Sequence, residues 1–179
     1  ARVELMQNKL KEAKDFLLKA VEVKNDYAPA HFLLAQIEAQ SGNSAEAIRR
    51  AETAALLSPN DIGALFQLGL LYYQNRQYGD ARLVLERSVS ISPNYSNARY
   101  FLGLIYDQAG DREKALDEFQ KILNLNPDNN EIRQIIQNLQ SGKAALYKIS
   151  PPSPAPEKRS EPPVPDKRES EAARVKKGN

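Results

Sequence analysis

The sequence contains no cysteine and a single histidine, His31, among its 179 residues. Without cysteine the chain can form neither a disulfide framework nor a thiolate metal site. We expect His31 to face the core, so neither a Ser/His/Asp nor a Cys/His catalytic set is indicated. One histidine without paired carboxylates at helical spacing is not a metal site either. The sequence therefore predicts no catalytic residue, no metal site and no cofactor, and we expect that the chain is not an enzyme.

Charge of one sign and long apolar runs are missing as well. The 25 Lys and Arg residues nearly balance the 23 Asp and Glu residues, which leaves a formal net charge of +2. Because nucleic-acid-binding domains concentrate basic residues on one face, we expect no nucleic-acid partner. No apolar run approaches the roughly 20 residues that cross a bilayer, and no signal peptide is recognisable. We therefore expect a soluble chain, cytoplasmic by default, or the soluble domain of a membrane-anchored protein.

What the sequence does contain is a repeat with a period of 34 residues. Four pairs share both residue type and this spacing: Gly69 and Gly103, Tyr72 and Tyr106, Ala81 and Ala115, and Pro93 and Pro127. Glycine and proline make up only about 7% and 5% of average sequence, so a chance origin of the repeat is excluded.

Each repeat predicts two amphipathic helices. The first has an apolar stripe at the i, i+3, i+4, i+7 spacing of a helix face, formed by Leu65, Leu68, Gly69 and Tyr72. The second stripe follows the break "NRQYGD" and comprises Ala81, Val84, Leu85, Ser88 and Val89. Neither helix can bury its face alone, so neighbouring hairpins must stack. A helix-interior glycine costs about 1 kcal/mol. We expect Gly69 and Gly103 to offset that cost by allowing close approach opposite Ala81 and Ala115.

The order Leu-Gly-x-x-Tyr, then Ala-x-x-x-large apolar residue, then Pro, resembles the tetratricopeptide repeat (TPR). The resemblance implies an all-α fold, a right-handed α-solenoid of antiparallel helix hairpins. In this register full repeats cover residues 28–61, 62–95 and 96–129, and residues 1–27 are the remainder of a truncated repeat. Ala1 then falls in the middle of a first helix, and we expect residues 1–7 to be a broken helix. We therefore expect the chain to be a fragment of a larger, bacterial TPR-containing protein.

The C-terminal part of the chain departs from the repeat. Residues 130–142 predict a capping helix with one apolar face, formed by Ile132, Ile135, Ile136 and Leu139. The opposite, polar face holds Arg133, Gln134, Gln137 and Asn138. Residues 143–179 follow as a tail rich in proline and charge. Seven of the eleven prolines and no aromatic residue lie in residues 150–179. Such a composition cannot bury enough apolar surface to offset chain entropy, so we expect a disordered tail.

A second apolar stripe on the first helices indicates a binding surface. By the TPR resemblance these positions line a concave groove, where aromatic residues are typical interface anchors. The candidate contact set is Phe32, Gln36, Phe66, Gln67, Leu70, Tyr73, Asn97, Tyr100, Leu104 and Asp107. The alternative interpretation is that the stripe packs between neighbouring repeats. Phe32 and Gln36 stand where a chaperone-binding TPR subclass places Lys and Asn. The resemblance therefore implies an apolar or aromatic peptide, or a helix, as the ligand.

Three functions follow from this interpretation. The first is a non-catalytic scaffold that binds a protein or peptide in the groove. The second is an accessory or regulatory domain of an upstream enzyme, because the repeats and tail resemble C-terminal TPR arrays of bacterial multi-pass membrane proteins of the O-antigen ligase type. A membrane would then be involved only through chain upstream of Ala1. The third is homo-oligomerisation through the open first helix.

Overall fold

The computed structural model describes residues 2–149, with side chains from residue 9 onward. These residues form eight α-helices and no strand: α1 (Arg2–Val23), α2 (Ala28–Gln40), α3 (Ser44–Leu57), α4 (Ile62–Gln74), α5 (Tyr78–Ile91), α6 (Ser96–Gln108), α7 (Arg112–Leu125) and α8 (Asn130–Gln140). Each helix packs against the next along the chain. The predicted all-α solenoid is confirmed. No helix in this part of the chain combines the length and apolar character that crossing a membrane requires.

The three full hairpins turn at corresponding places. Gly42, Arg76 and Gly110 follow the first helix of each hairpin with φ angles of 79°, 62° and 80°. Glycine adopts this left-handed region without the steric cost that a Cβ atom imposes, so Arg76 carries strain that the two glycines avoid. Each second helix ends two residues before a proline, which cannot continue the helical hydrogen-bond ladder. These prolines are Pro59, Pro93 and Pro127.

The helix-interior glycines leave room for one large side chain each. A Cβ atom on Gly69 would lie 2.7 Å from Cδ2 of Leu85, and one on Gly103 would lie 2.6 Å from Cε2 of Phe119. The expectation that Ala81 and Ala115 are the close neighbours therefore needs correction. Leu85 and Phe119 are both fully buried, so the gain from packing them offsets the propensity cost of glycine.

The N-terminal region differs from its prediction. We expected a broken first helix to end near Gln7, but α1 runs without interruption from Arg2 to Val23. Asn8 occupies the place that corresponds to Gly42. At this place helix propagation, which adds one hydrogen bond per residue, is favoured over a turn. Where α1 packs against α2, Nζ of Lys14 lies 2.7 Å from Oε1 of Glu38.

The C-terminal region confirms one predicted face and corrects another. The predicted apolar face of α8 is buried. Asn138, which we expected in solvent, is only 3% exposed, so that placement is wrong. The predicted start of the disordered tail at residue 143 is also wrong, because residues 145–148 form a turn and Ala145 is 1% exposed. We call residues 144–149 the returning segment. The rest of the predicted tail, residues 150–179, lies outside the described residues.

The core changes character along the array. The cluster around α2 and α3 is rich in small residues and comprises Ala35, Ala47, Ile48, Ala51, Ala55, Leu65, Leu68 and Leu71. The cluster from α5 onward holds larger side chains, including Leu85, Leu102, Ile105, Tyr106, Phe119, Ile122 and Ile132. It also borders a buried ion pair, in which Nη1 of Arg99 lies 2.5 Å from Oε2 of Glu118. Nε of Arg99 donates to the Pro93 carbonyl at 2.7 Å.

Two tyrosines link one hairpin to the next. The Tyr72 hydroxyl donates to Oε1 of Glu52 at 2.6 Å, and the Tyr106 hydroxyl donates to Oε1 of Glu86 at 2.7 Å. Burial, with the adjacent carboxylate as a second cause, raises the pKa of both phenols. The tyrosine places of the repeat therefore join α3 to α4 and α5 to α6.

Candidate binding groove

Three of the candidate aromatic residues meet at a side chain that the sequence did not single out. The ring centroids of Phe66, Tyr73 and Tyr100 lie 5.9, 5.1 and 5.6 Å from that of Phe101. Such separations, with tilted or edge-on ring planes, are those of attractive aromatic pairs. Because Phe101 is on α6 whereas Phe66 and Tyr73 are on α4, the stripe also packs between neighbouring repeats.

Further rings extend this contact in both directions. Phe66 packs edge-on against Tyr95 at 5.3 Å, Tyr73 against Tyr78 at 5.5 Å, and Tyr100 against Phe119 at 5.8 Å. We call these seven side chains the aromatic cluster: Phe66, Tyr73, Tyr78, Tyr95, Tyr100, Phe101 and Phe119. The cluster fixes the orientation of the candidate anchors, since each ring has at least one ring neighbour.

Two phenols of the cluster, those of Tyr73 and Tyr100, are shifted toward the neutral form. Burial raises the pKa of Tyr73, and the neighbouring Tyr78 adds to the shift. Burial also raises the pKa of Tyr100, and the charge of Glu131 adds to it. The Tyr100 hydroxyl donates to Oε1 of Glu131 at 3.1 Å and so ties α6 to α8. At neutral pH these two side chains present apolar ring area with hydroxyl groups and no phenolate charge.

An open depression of about 700 Å³ lies at the C-terminal end of the candidate set. Three candidates, Tyr73, Leu104 and Asp107, line it. We call it the C-terminal depression; its other lining residues are Gln108, Gly110, Arg112, Ala144 and Leu146. The lining combines apolar side chains, such as Leu104 and Leu146, with polar ones, such as Asp107, Gln108 and Arg112.

The returning segment forms one side of this depression and is held by polar side chains. Oδ2 of Asp107 accepts a hydrogen bond from the backbone N–H of Ala145 at 2.8 Å. Nδ2 of Asn138 donates to the Ala145 carbonyl at 3.0 Å and to the Tyr147 carbonyl at 2.8 Å. Asp107 was predicted as a groove residue, but Asn138 was missed. No signal in residues 130–142 alone could reveal its role, which depends on a segment that follows them.

The remaining candidates are half-buried rather than exposed. Phe32 and Gln36 lie on α2, Gln67 and Leu70 on α4, and Asn97 on α6. Oε1 of Gln67 is buried and has no hydrogen-bond partner among the described residues. Leu104 is only 7% exposed. The structure thus groups Phe66, Tyr73 and Tyr100 around Phe101, and Tyr73, Leu104 and Asp107 around the depression.

Metal-binding geometry is not found in residues 2–149, where no three His, Cys, Asp or Glu side chains gather as metal ligands would. This observation concerns the described residues alone.

Comparisons with known proteins identify the repeat. Residues 72–139 match the family model described as "Tetratricopeptide repeat". A search of curated proteins found no match. Among solved structures, MamA from Desulfovibrio magneticus RS-1 is 25% identical with a TM-score of 0.69, over 77% of this chain and 78% of that chain. YrrB, described as a TPR protein with an unusual peptide-binding site, is 20% identical with a TM-score of 0.69, over 79% and 73%.

A further similar structure is the first TPR of Spaghetti (RPAP3) bound to the HSP90 peptide SRMEEVD. It is 16% identical with a TM-score of 0.61, over 64% of this chain and 91% of that chain. The family match and the all-helical architecture agree with each other, and residues 72–139 belong to the tetratricopeptide-repeat family.

Proposed function

We propose that this chain is a non-catalytic protein-interaction scaffold, and that it binds an apolar or aromatic peptide or helix along the first helices of its repeats. The observation that carries the proposal is the C-terminal depression, where Tyr73 and Leu104 present apolar surface beside the polar Asp107 and Gln108. The candidate contact set defined from the sequence is the proposed binding face.

The preference for an apolar ligand rests on charge and on ring geometry. Burial disfavours the phenolate form of Tyr73 and Tyr100 by raising the pKa of each, and their rings are pre-oriented by Phe101. Rigid aromatic anchors of this kind lose little conformational entropy on binding. YrrB and RPAP3 support a peptide-binding role for the fold. An acidic peptide such as the one in the RPAP3 structure is a poor candidate here, because Phe32 and Gln36 replace the basic clamp.

The proposal can be tested with a partner recovered by pull-down with the full chain. Tyr73→Ala and Tyr100→Ala should each weaken binding by about 1–3 kcal/mol, as anchor residues do. Both rings also pack on Phe101, so thermal melts must be measured in parallel with the titrations. If Tyr73→Ala destabilises the fold as much as Tyr72→Ala does, the stripe is inter-repeat core and the groove assignment is wrong.

A second variant separates binding from folding. Gln108 is exposed and lines the depression, so Gln108→Arg should narrow it without disturbing the core. Gln120→Arg is the matched control, because Gln120 is exposed on the second helix α7. We expect about tenfold weaker binding for Gln108→Arg and unchanged binding for the control. Equal affinity of both variants for the partner would place the binding site elsewhere.

A further inference from the structure

The returning segment is anchored by its backbone more than by its side chains. The three hydrogen bonds that Asp107 and Asn138 make reach the N–H of Ala145 and the carbonyls of Ala145 and Tyr147. Side-chain selectivity is left to Ala145, which is 1% exposed, and to the half-buried Leu146 and Ile149. Peptide-binding grooves use the same two kinds of contact: hydrogen bonds to the main chain provide affinity, and pockets for side chains provide specificity.

The end of α8 does not require this segment. The N–H of Ser141 bonds to the Gln137 carbonyl at 3.0 Å, that of Gly142 to Leu139 at 3.1 Å, and that of Lys143 to Asn138 at 2.9 Å. With Gly142 at a φ of 78°, these bonds close the helix in the manner of a glycine C-cap. The chain beyond Lys143 could continue into solvent without leaving the helix end unsatisfied. It packs instead against α6.

Its docking place is part of the proposed groove. Asp107 stands on α6 where Tyr73 stands on α4, one repeat apart. Ala144 and Leu146 line the C-terminal depression together with Tyr73 and Leu104. Only Ser141, Gly142 and Lys143 separate α8 from the docked residues. A tether this short gives an effective local concentration on the order of millimolar.

We propose that the returning segment is an intramolecular ligand of the groove, and that a protein partner must displace it to occupy the part of the groove that it covers around Asp107 and Asn138. The second half of this proposal rests on the proposed function; the first does not. The partner chemistry that fits is the chemistry of the segment itself. A fitting partner peptide has a small residue that can be buried as Ala145 is, followed by an aliphatic residue. Its backbone must offer an N–H group to Asp107 and carbonyl groups to Asn138.

The first test is hydrogen exchange in the unmodified full chain, measured by NMR at the Ala145 amide. A docked but displaceable segment should exchange about 100-fold more slowly than the same residues in a free peptide. It should exchange at least about tenfold faster than the slowest amides of α6, because it opens without unfolding the array. Exchange as fast as in the free peptide would show that the segment is not docked. Exchange as slow as α6 would show that it never opens on its own.

The second test opens the segment by substitution. Ala145→Arg introduces a charged side chain where no space exists, whereas Gln140→Arg adds the same side chain at the exposed end of α8, outside the depression, and is the matched control. The probe is a labelled synthetic peptide of residues 142–149, GKAALYKI, added to the full chain. We expect Ala145→Arg to bind it at least about tenfold more tightly than the wild type or Gln140→Arg. Adding Asp107→Ala to Ala145→Arg should abolish that gain.

The outcomes separate the two proposals. If Ala145→Arg melts like the wild type but does not bind the peptide, or if all variants bind it equally, the intramolecular ligand is wrong. If Ala145→Arg fails to fold, the exchange experiment on the wild type decides. A partner from the pull-down that binds Ala145→Arg and Gln140→Arg equally would overturn displacement while leaving the proposed scaffold function intact. Failure to recover any partner would count against the proposed function alone.

Discussion

The hairpin α2–α3 and the hairpin α6–α7 share one register but fill it with side chains of different size. At the closest approach of the two helices, the first hairpin places Ala35 and Ala51 at positions that hold Gly103 and Phe119 in the other. Both alanines are buried, and Phe119 is fully buried against Gly103. The volume at this place is shared between the two helices, so a larger residue on one is matched by a smaller one on the other.

The links to neighbouring hairpins differ in the same direction. Tyr106 donates a hydrogen bond to Glu86, but the corresponding position at α2 is Glu38, which pairs with Lys14 of α1. The residue that corresponds to Glu86 at this end is Leu18. A tyrosine link is therefore impossible there, and an ion pair takes its place. The two ends of the array should respond differently to core substitution and to pH.

The largest expected effect concerns the buried ion pair of α6 and α7. Arg99 and Glu118 occupy the positions that hold Leu65 and Val84 one repeat earlier. Glu118→Val alone leaves Arg99, which is 8% exposed, without its carboxylate and should cost about 3–5 kcal/mol. The double substitution Arg99→Leu with Glu118→Val introduces the apolar pair of the preceding repeat. Its free energy of unfolding should lie within about 1 kcal/mol of the wild-type value, or above it. Denaturant unfolding measures both, and equal losses for the single and double variants would refute the expectation.

An intermediate effect is expected at the helix-interior glycines. Gly103→Ala forces a Cβ atom against Phe119 and should destabilise the chain by about 1–3 kcal/mol, the usual cost of overpacking. Gly79→Ala is the control, because no heavy atom lies within 4 Å of its Cβ position. It should stabilise the chain by up to about 1 kcal/mol through helix propensity. Thermal melts measure the stability of both variants. A loss of stability in Gly79→Ala would contradict the gain expected from helix propensity.

The smallest effect concerns acid at the N-terminal end. Burial alone would raise the pKa of Glu38, but hydrogen bonds from Lys14 and Asn43 outweigh it and hold the pKa below its ordinary value of 4.5. The stabilisation is therefore complete above pH 4.5 and is lost as the pH falls through the lower pKa of the folded state. Because Lys14 is 36% exposed, the loss should stay below about 1 kcal/mol. At low pH the ratio of the hydrogen-exchange rates of α1 backbone amides to those of α8 backbone amides should therefore increase.

Glu38→Gln is the control for this acid effect. It removes the titrating carboxylate, so the ratio of α1 to α8 exchange should no longer change with pH in that range. A ratio that still changes in Glu38→Gln would assign the acid response to another group.

Most of the fold could be predicted because the repeat imposes one pattern several times. The stripe around Gly69 and the apolar face of α8 were identified from spacing alone, and the structure buries both. The glycine partners were misassigned, because spacing places Ala81 on the facing helix but does not say how far a side chain from Leu85 reaches. The continuous α1 was missed, since whether a turn forms at Asn8 depends on what is available to pack there.

The candidate groove was harder to predict than the helices that carry it. Phe101 follows Tyr100 directly in the sequence. Helical periodicity does not reveal that its side chain packs against the preceding repeat. Asn138 looked like a solvent residue by spacing, because its partners lie seven and nine residues later in a segment with no regular structure. Positions of this kind are decided by contacts between elements, which periodicity does not encode.

The matched sizes across each hairpin have a consequence for how such arrays can be recombined. Joining α6 to a second helix copied from α3 would pair Gly103 with an alanine and leave a void, whereas joining α2 to a copy of α7 would drive Ala35 into a phenylalanine. Exchanging a single helix therefore creates a mismatch in side-chain size, whereas exchanging a whole hairpin creates none at this contact. The hairpin, and not the helix, is therefore the smallest part of this chain that could be duplicated or shuffled without repair elsewhere.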